Sequence, residues 1–256
     1  MKIGITCSMQ EEINLLLADL ERSESSVIGK REYSSGRLYG TEAVLVFSRW
    51  GKVASASTAT TLIDRFGVEA IVFTGVAGAA SPLLSIGDIV VSTALVQHDL
   101  DASALPAFAK FEIPLLGISR ILADKGLIES MAESASQYIS SDLLPEIGER
   151  TLSEFGIFAP KIELGLIASG DRFIADKGLI NSLCEQLGDL LCVEMEGAAV
   201  AQVCYEHGVP FVVARAISDK ADHSAVIDFP RFINKVACYY SRGIIRGLIS
   251  KLGSLS

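Results

Sequence analysis

No two cysteines stand at C-x-x-C spacing in this sequence, and its five cysteines are accompanied by only three histidines. That excludes the recognised zinc motifs, and the odd number fits reduced core residues of a cytosolic protein better than a disulfide framework. Basic residues are also in deficit: 22 against 31 acidic, a net charge of −9. Lysine and arginine are dispersed, so a nucleic-acid partner is disfavoured. A secretory signal is missing too, because the apolar run after Met1-Lys2 ends at Gln10-Glu11-Glu12. The longest uncharged stretch, residues 70–87, is interrupted by Gly75, Gly78 and Pro82. In lipid such breaks would leave backbone groups unsatisfied, which argues against a membrane span. Linkers, low-complexity tracts and repeats are likewise lacking, and one domain over residues 1–256 is expected.

Half of the residues are hydrophobic and the mean hydropathy is +0.41. Apolar runs of this kind suit strands covered on both faces. The pattern predicts strands at 3–8, 33–38, 43–47, 70–74, 88–96, 162–168, 191–195 and 211–217. Helices are predicted from Leu15, Leu16 and Leu20 in the first helix, and over 52–66, 119–140, 143–155, 177–187, 197–206 and 228–251. Such alternation implies a mainly parallel sheet with helices outside it, and a ligand beyond the carboxyl ends of the strands.

Four motifs fall at those ends. Met9-Gln10-Glu11-Glu12 follows the first strand; taken alone, its acids suit a helix N-terminus, but one carboxylate could serve as a general base. Thr74-Gly75-Val76-Ala77-Gly78-Ala79 reads as a small-residue turn that lets backbone N–H groups approach a ligand. It matches neither a dinucleotide fingerprint nor a P-loop. Glu194 and Glu196 end a strand two residues apart, so alternation aims both the same way, and a pair of ribose hydroxyls would suit them. Capping of the next helix by Glu196 is the plainer alternative. Arg215-Ala216-Ile217-Ser218-Asp219 ends the last strand. Ser218 and Asp219 could simply close a turn, or a buried Asp219 could hold a proton and donate it, provided that Lys220 points away.

These motifs, with Met1-Lys2-Ile3-Gly4-Ile5, Gly51-Lys52-Val53, Ile86-Gly87-Asp88-Ile89-Val90 and Ser169-Gly170-Asp171, resemble as an ordered set the 5′-methylthioadenosine/S-adenosylhomocysteine nucleosidases of the nucleoside phosphorylase superfamily. The resemblance spans nearly the whole chain. It implies an α/β fold of one domain, three-layered, with a twisted mixed central sheet flanked by helices, and a cytoplasmic homodimer without cofactor or metal. By the same resemblance Glu12, assisted by Arg215, would activate water, and Asp219, oriented by Ser218, would protonate adenine. Glu196 would bind the ribose hydroxyls beside Glu194, with Met195 against the sugar. Phe173 would stack on adenine, whose edge the Ile174 backbone would read. Val76, Ala77 and Gly78 would line the site. Phe111 and Pro114, in an aromatic and proline-rich segment, would line the partner subunit's 5′ pocket. His98 before that segment is expected to be structural.

Two positions depart from the family pattern. Val76 stands where many relatives carry serine, and Trp50 replaces a smaller residue before Gly51-Lys52. The partner implied is a small adenine nucleoside, with neither nucleic acid nor membrane. Rival readings are a phosphorylase, a hydrolase for an aminodeoxyfutalosine-type nucleoside, and a non-catalytic binding protein. A phosphorylase would need several cations converging on phosphate, and a binding protein would be expected to lose one of Glu12, Glu196 and Asp219.

Overall fold

Apolar runs need cover on both faces, and the computed structural model, which describes residues 1–222 and 225–254, supplies it around one mixed sheet. Its strands are β1 (Ile3–Cys7), β2 (Glu21–Ile28), β3 (Arg31–Leu38), β4 (Thr41–Phe47), β5 (Ala70–Ala79), β6 (Ile89–Gln97), β7 (Ile121–Leu122), β8 (Ile162–Ser169), β9 (Leu190–Glu194) and β10 (Phe211–Asp219). The helices are α1 (Gln10–Ala18), α2 (Lys52–Phe66), α3 (Lys125–Gln137), α4 (Leu143–Ile147), α5 (Glu149–Glu154), α6 (Lys177–Leu187), α7 (Gly197–His207), α8 (Ala225–Phe232) and α9 (Cys238–Ser254). π-helical turns at Tyr138–Asp142 and Ile233–Ala237 join α3 to α4 and α8 to α9. Helices α1 and α3 pack on α9, and α2 packs on α7, so two helical groups flank the sheet.

The expectation of a mainly parallel sheet is corrected in part. Strands β4, β1, β5 and β10 run parallel, as do β6, β8 and β9, but β10 meets β6 and β5 meets β9 antiparallel. Because β5 pairs with β10 along its length and with β9 at Gly78 and Ala79, the strands β5, β10, β6, β8 and β9 close into a ring. Strands β2 and β3 are joined by a two-residue turn, Gly29-Lys30, with φ of 57° and 60°, the primed geometry that matches strand twist.

Two further expectations give way. Residues 119–140 are not one helix: Ile121–Leu122 pair with β6, and α3 starts only after Asp124, whose side chain accepts the Leu127 N–H at 2.9 Å and caps it. Residues 74–79 are not a turn, because β5 runs through them to Ala79. Their small size answers a different need: a Cβ at Gly78 would lie 2.9 Å from Asp219 Oδ1 and 2.9 Å from Ala221 Cβ. Glycine here permits close approach within a strand.

Candidate active site

Strand carboxyl ends converge on one cleft. Ser8 and Met9 follow β1, Trp50 follows β4, and Val76, Ala77 and Gly78 lie near the end of β5. Arg172, Phe173 and Ile174 follow β8. The strand β9 leads into Met195 and Glu196, Asp219 ends β10, and Phe229 of α8 closes the ring.

Glu12 lies one layer behind this lining, fully buried. It occupies the first turn of α1, where its Oε2 accepts the Met9 N–H at 2.9 Å, while Oε1 has no hydrogen-bond partner. The helix-capping and base readings therefore fall on different oxygens of one carboxylate. Burial raises its pKa to about 7; the Arg215 charge and backbone N–H groups of Met9 and Ser8 pull the other way. Glu12 and Arg215 face each other across Gly75, where a Cβ would lie 3.2 Å from Glu12 Oε1 and 3.4 Å from Arg215 Nη1.

Arg215 has no exposed surface and does not line the cleft. Its guanidinium stands 4.1 Å from the Phe73 ring centroid, and Nη2 binds Glu194 Oε2 at 2.7 Å. The remaining demands on Glu194 come from the Ser169 hydroxyl, from the Glu196 N–H at 3.1 Å and from the Gly197 N–H at 2.8–2.9 Å. Glu194 lines the cleft, and its oxygens are engaged by Arg215 and by the N-terminus of α7. Glu194 and Arg215 form an internal ion pair whose desolvation is met by hydrogen bonds.

The Glu196 carboxylate, by contrast, accepts from the Gly51 N–H at 2.8 Å. Burial and the nearby Glu194 charge raise its pKa to about 8. The Gly51 donor is itself fixed by its neighbours. The Lys52 N–H donates to Asp171 Oδ1 at 2.7 Å, the Asp171 N–H to Asp99 Oδ2 at 2.8 Å, and Lys52 Nζ to Asp99 at 2.6 Å. With φ of 88° and Asp171 Oδ1 only 2.8 Å from a Cβ position, residue 51 has to be glycine.

Asp219 is buried, with Oδ2 accepting from the Ser218 hydroxyl at 2.7 Å and Oδ1 from the Ala221 N–H at 2.8 Å. Burial raises its pKa, against the pull of those two donors. Lys220 turns away and donates to the Leu84 carbonyl, which removes the objection its charge raised. Ser218 has no exposed surface, so it positions Asp219 and touches nothing in the cleft.

At the mouth, Trp50 and Phe173 both meet Phe229 edge-on, with centroids 6.3 and 5.6 Å apart, and Trp50 Nε1 donates to Met9 Sδ. Of the expected lining residues, Trp50, Val76, Ala77, Gly78, Phe173, Ile174, Glu194, Met195 and Glu196 are there. Phe111 and Pro114 are not. Phe111 is buried in a core cluster of its own chain with Val96 and Leu166, and Pro114 is half-buried. His98 is off the cleft, its ring against Gly170, as a structural residue would be. Sequence reasoning missed Ser8, Met9, Arg172, Val193 and Phe229 as lining. The first four belong to or adjoin quoted motifs, whereas Phe229 carries no local signal and arrives only because α8 folds back over the strand ends.

A family model described as "Phosphorylase superfamily" matches residues 2–249. The 5′-methylthioadenosine/S-adenosylhomocysteine nucleosidase of Geobacillus thermodenitrificans is 37% identical over 237 residues, covering 93% of this chain and 92% of that protein. The S-adenosylhomocysteine nucleosidase of Streptococcus pyogenes, solved in complex with 5-methylthiotubericidin, superposes with a TM-score of 0.84 at 34% identity, covering 98% of this chain and 97% of that one. A futalosine hydrolase mutant of Helicobacter pylori gives a TM-score of 0.82 at 32% identity, with 98% and 99% covered. The chain belongs to the 5′-methylthioadenosine/S-adenosylhomocysteine nucleosidase family of the phosphorylase superfamily.

Proposed function

We propose that this chain hydrolyses the N-glycosidic bond of 5′-methylthioadenosine and S-adenosylhomocysteine, and also of 5′-deoxyadenosine, releasing adenine and the 5′-substituted ribose. The observation that carries this reading is the set of three buried carboxyl groups, Glu12, Glu196 and Asp219, whose pKa values are all raised around one cleft. Adenine is a poor leaving anion, so Asp219 donates its proton to the base as the C1′–N9 bond breaks. Positive charge then develops on the ribose, as in glycoside hydrolysis. Glu196 holds the ribose hydroxyls, Met195 packs on the sugar, Phe173 stacks on adenine and the Ile174 backbone reads its edge. Glu12 takes the proton of the attacking water through Oε1. Arg215 assists at a distance, its charge favouring the ionised form of Glu12. No step calls on a cofactor.

Phosphorolysis is disfavoured because the guanidinium nearest Glu12 is committed to Glu194 at 2.7 Å, which leaves Arg172 as the one cationic side chain among the described lining residues. A nucleoside with a bulky 5′ group is the second reading, supported by the aromatic mouth of Trp50, Phe173 and Phe229 and by the futalosine hydrolase neighbour. The proposed setting is the cytoplasm; among the described residues no helix is long and apolar enough to cross a membrane. The proposed assembly is a homodimer in which the segment through Pro114 completes the partner's 5′ pocket, a reading supported by the exposed Leu105, Leu115 and Val53.

The test is adenine release from methylthioadenosine with and without phosphate. Release in phosphate-free buffer, with free methylthioribose as co-product, is expected. Release only with phosphate, as a sugar 1-phosphate, would overturn hydrolysis.

A further inference from the structure

A second cavity, of about 230 Å³, opens between α1 and the β3–β4 hairpin. It shares a wall with the nucleoside cleft: Met9 and Trp50 line the cleft, and their chain neighbours Gln10 and Arg49 line the cavity. Its floor is apolar, with Ile13 and Leu17 from α1 and Leu45 and Phe47 from β4.

The rim has the opposite character. Lys30, Arg31 and Arg49 surround the opening, with Glu32 as the one carboxylate among the lining residues. In a chain of net charge −9 that is a reversal of the average surface. Among the described residues, none of these three cations has an ion-pair partner. Arg31 instead donates to the carbonyls of Ser48 at 3.0 Å, Gly29 at 3.1 Å and Ala54 at 3.2 Å, and Arg49 donates to the Lys30 carbonyl. Carbonyls hold a guanidinium in place without neutralising it, so its charge stays available to a ligand.

Backbone conformation adds an independent observation. Lys30 has φ of 60° and Arg49 φ of 70°. In both places glycine or asparagine would be at ease and a long side chain is strained. Lys30 fills the second position of a primed turn, where glycine is favoured. Two strained positions on one rim both carry a cation that no carboxylate pairs among the described residues, and strain of that kind points to a site.

We propose that this cavity binds a small organic anion with a carboxylate or phosphate head and an apolar body. The head lies among Lys30, Arg31 and Arg49, where planar guanidinium groups suit two-oxygen anions. The body rests on Leu17 and Phe47, above the buried Ile13. The same chemistry can arrive as a free molecule or as the acidic tail of a nucleoside held in the neighbouring cleft. The site itself does not depend on the nucleosidase reading; only the second source does.

The test is calorimetric titration of the whole protein with phenyl phosphate, with phenol as the neutral control, repeated with adenine saturating the cleft. Saturable binding of phenyl phosphate alone is expected, weakened by salt and unaffected by adenine. A Lys30→Gln/Arg49→Gly double variant is expected to lose at least about tenfold in affinity. The glycine suits the backbone at residue 49, so folding is not at risk, and unchanged adenine binding checks that it folds. Absence of saturable binding, displacement by adenine, or an undiminished affinity in the double variant would each overturn the proposal. The source follows from the same variant. A rise in KM for S-adenosylhomocysteine but not for methylthioadenosine assigns the head group to a nucleoside tail, and equal KM ratios assign it to a free anion.

Discussion

Glu12 and Asp219 are each held by hydrogen bonds that leave one chemical capacity unspent. The Met9 N–H occupies Oε2 of Glu12 and leaves Oε1 free. A Glu12→Gln side chain can still accept from Met9 through its amide oxygen, so α1 keeps its cap while the base is lost. The expected kcat falls by about 10²–10⁴, with little change in KM. Wild-type kcat/KM is expected to rise with pH through about 7 as Glu12 ionises, and the variant to lack that limb. A variant with wild-type kcat would remove Glu12 from the chemistry. Asp219→Asn likewise keeps an oxygen for Ser218 or Ala221 but has no proton to transfer. Its kcat for methylthioadenosine is expected to drop by about 10²–10⁴, and much less for a methylthioriboside with a nitrophenyl leaving group. An equal drop on both substrates would mean that Asp219 does something other than protonate the base.

At the scale of elements, β5 decides whether those side chains meet. It brings Gly75 between Glu12 and Arg215, and Gly78 against Asp219 and Ala221. A Gly78→Ala side chain has nowhere to go at 2.9 Å from both Asp219 Oδ1 and Ala221 Cβ. Overpacking of this kind costs about 1–3 kcal/mol, and it pushes on the proton donor. A lowered denaturation midpoint with a fall in kcat is the expected result; wild-type kcat and midpoint would show that the strand ends yield freely. The small residues themselves were legible in the sequence, but their meaning was not, since a turn and a close-approach strand call for the same composition. Helices α2 and α6 were legible to the residue because Phe66-Gly67 and Asp176-Lys177 mark their ends. Strand β2 was not, because its side chains are nearly all exposed and an unburied strand shows no apolar alternation. Nor does any local pattern announce that Glu194 is consumed by Arg215, whose partner is set by where β9 and β10 lie in the closed ring. Glu196 and Asp219 stood out at strand ends and Glu12 was singled out from Glu11 only by the family resemblance, whereas the Lys52, Asp99 and Asp171 network behind Gly51 needed the fold.

For the whole molecule, gathering buried carboxyl groups at one cleft has a cost that pH makes visible. Glu12 and Glu196 are raised from the usual carboxylate value to about 7 and about 8, and Asp219 is raised as well, burial being the leading cause each time. The folded chain therefore binds more protons than the unfolded chain between about pH 4.5 and 8. Their contribution to stability is fully present below the unfolded values and is lost as pH rises through the folded ones. Carboxyls that are lowered, such as Asp189 beside Arg120, act in the opposite sense but at lower pH, outside this window. Guanidinium denaturation of wild type and Glu12→Gln isolates the contribution of the general base. Between about pH 5 and pH 8 the variant should gain about 2–3 kcal/mol relative to wild type, since each unit of raised pKa is worth about 1.4 kcal/mol. A protein that becomes more stable as it loses its general base would locate the strain of the native state in the catalytic carboxylate itself. If instead the two stability curves run parallel across that range, Glu12 ionises without cost in the folded chain. Its raised pKa, and the pH limb of the rate with it, would then have to be assigned to Glu196.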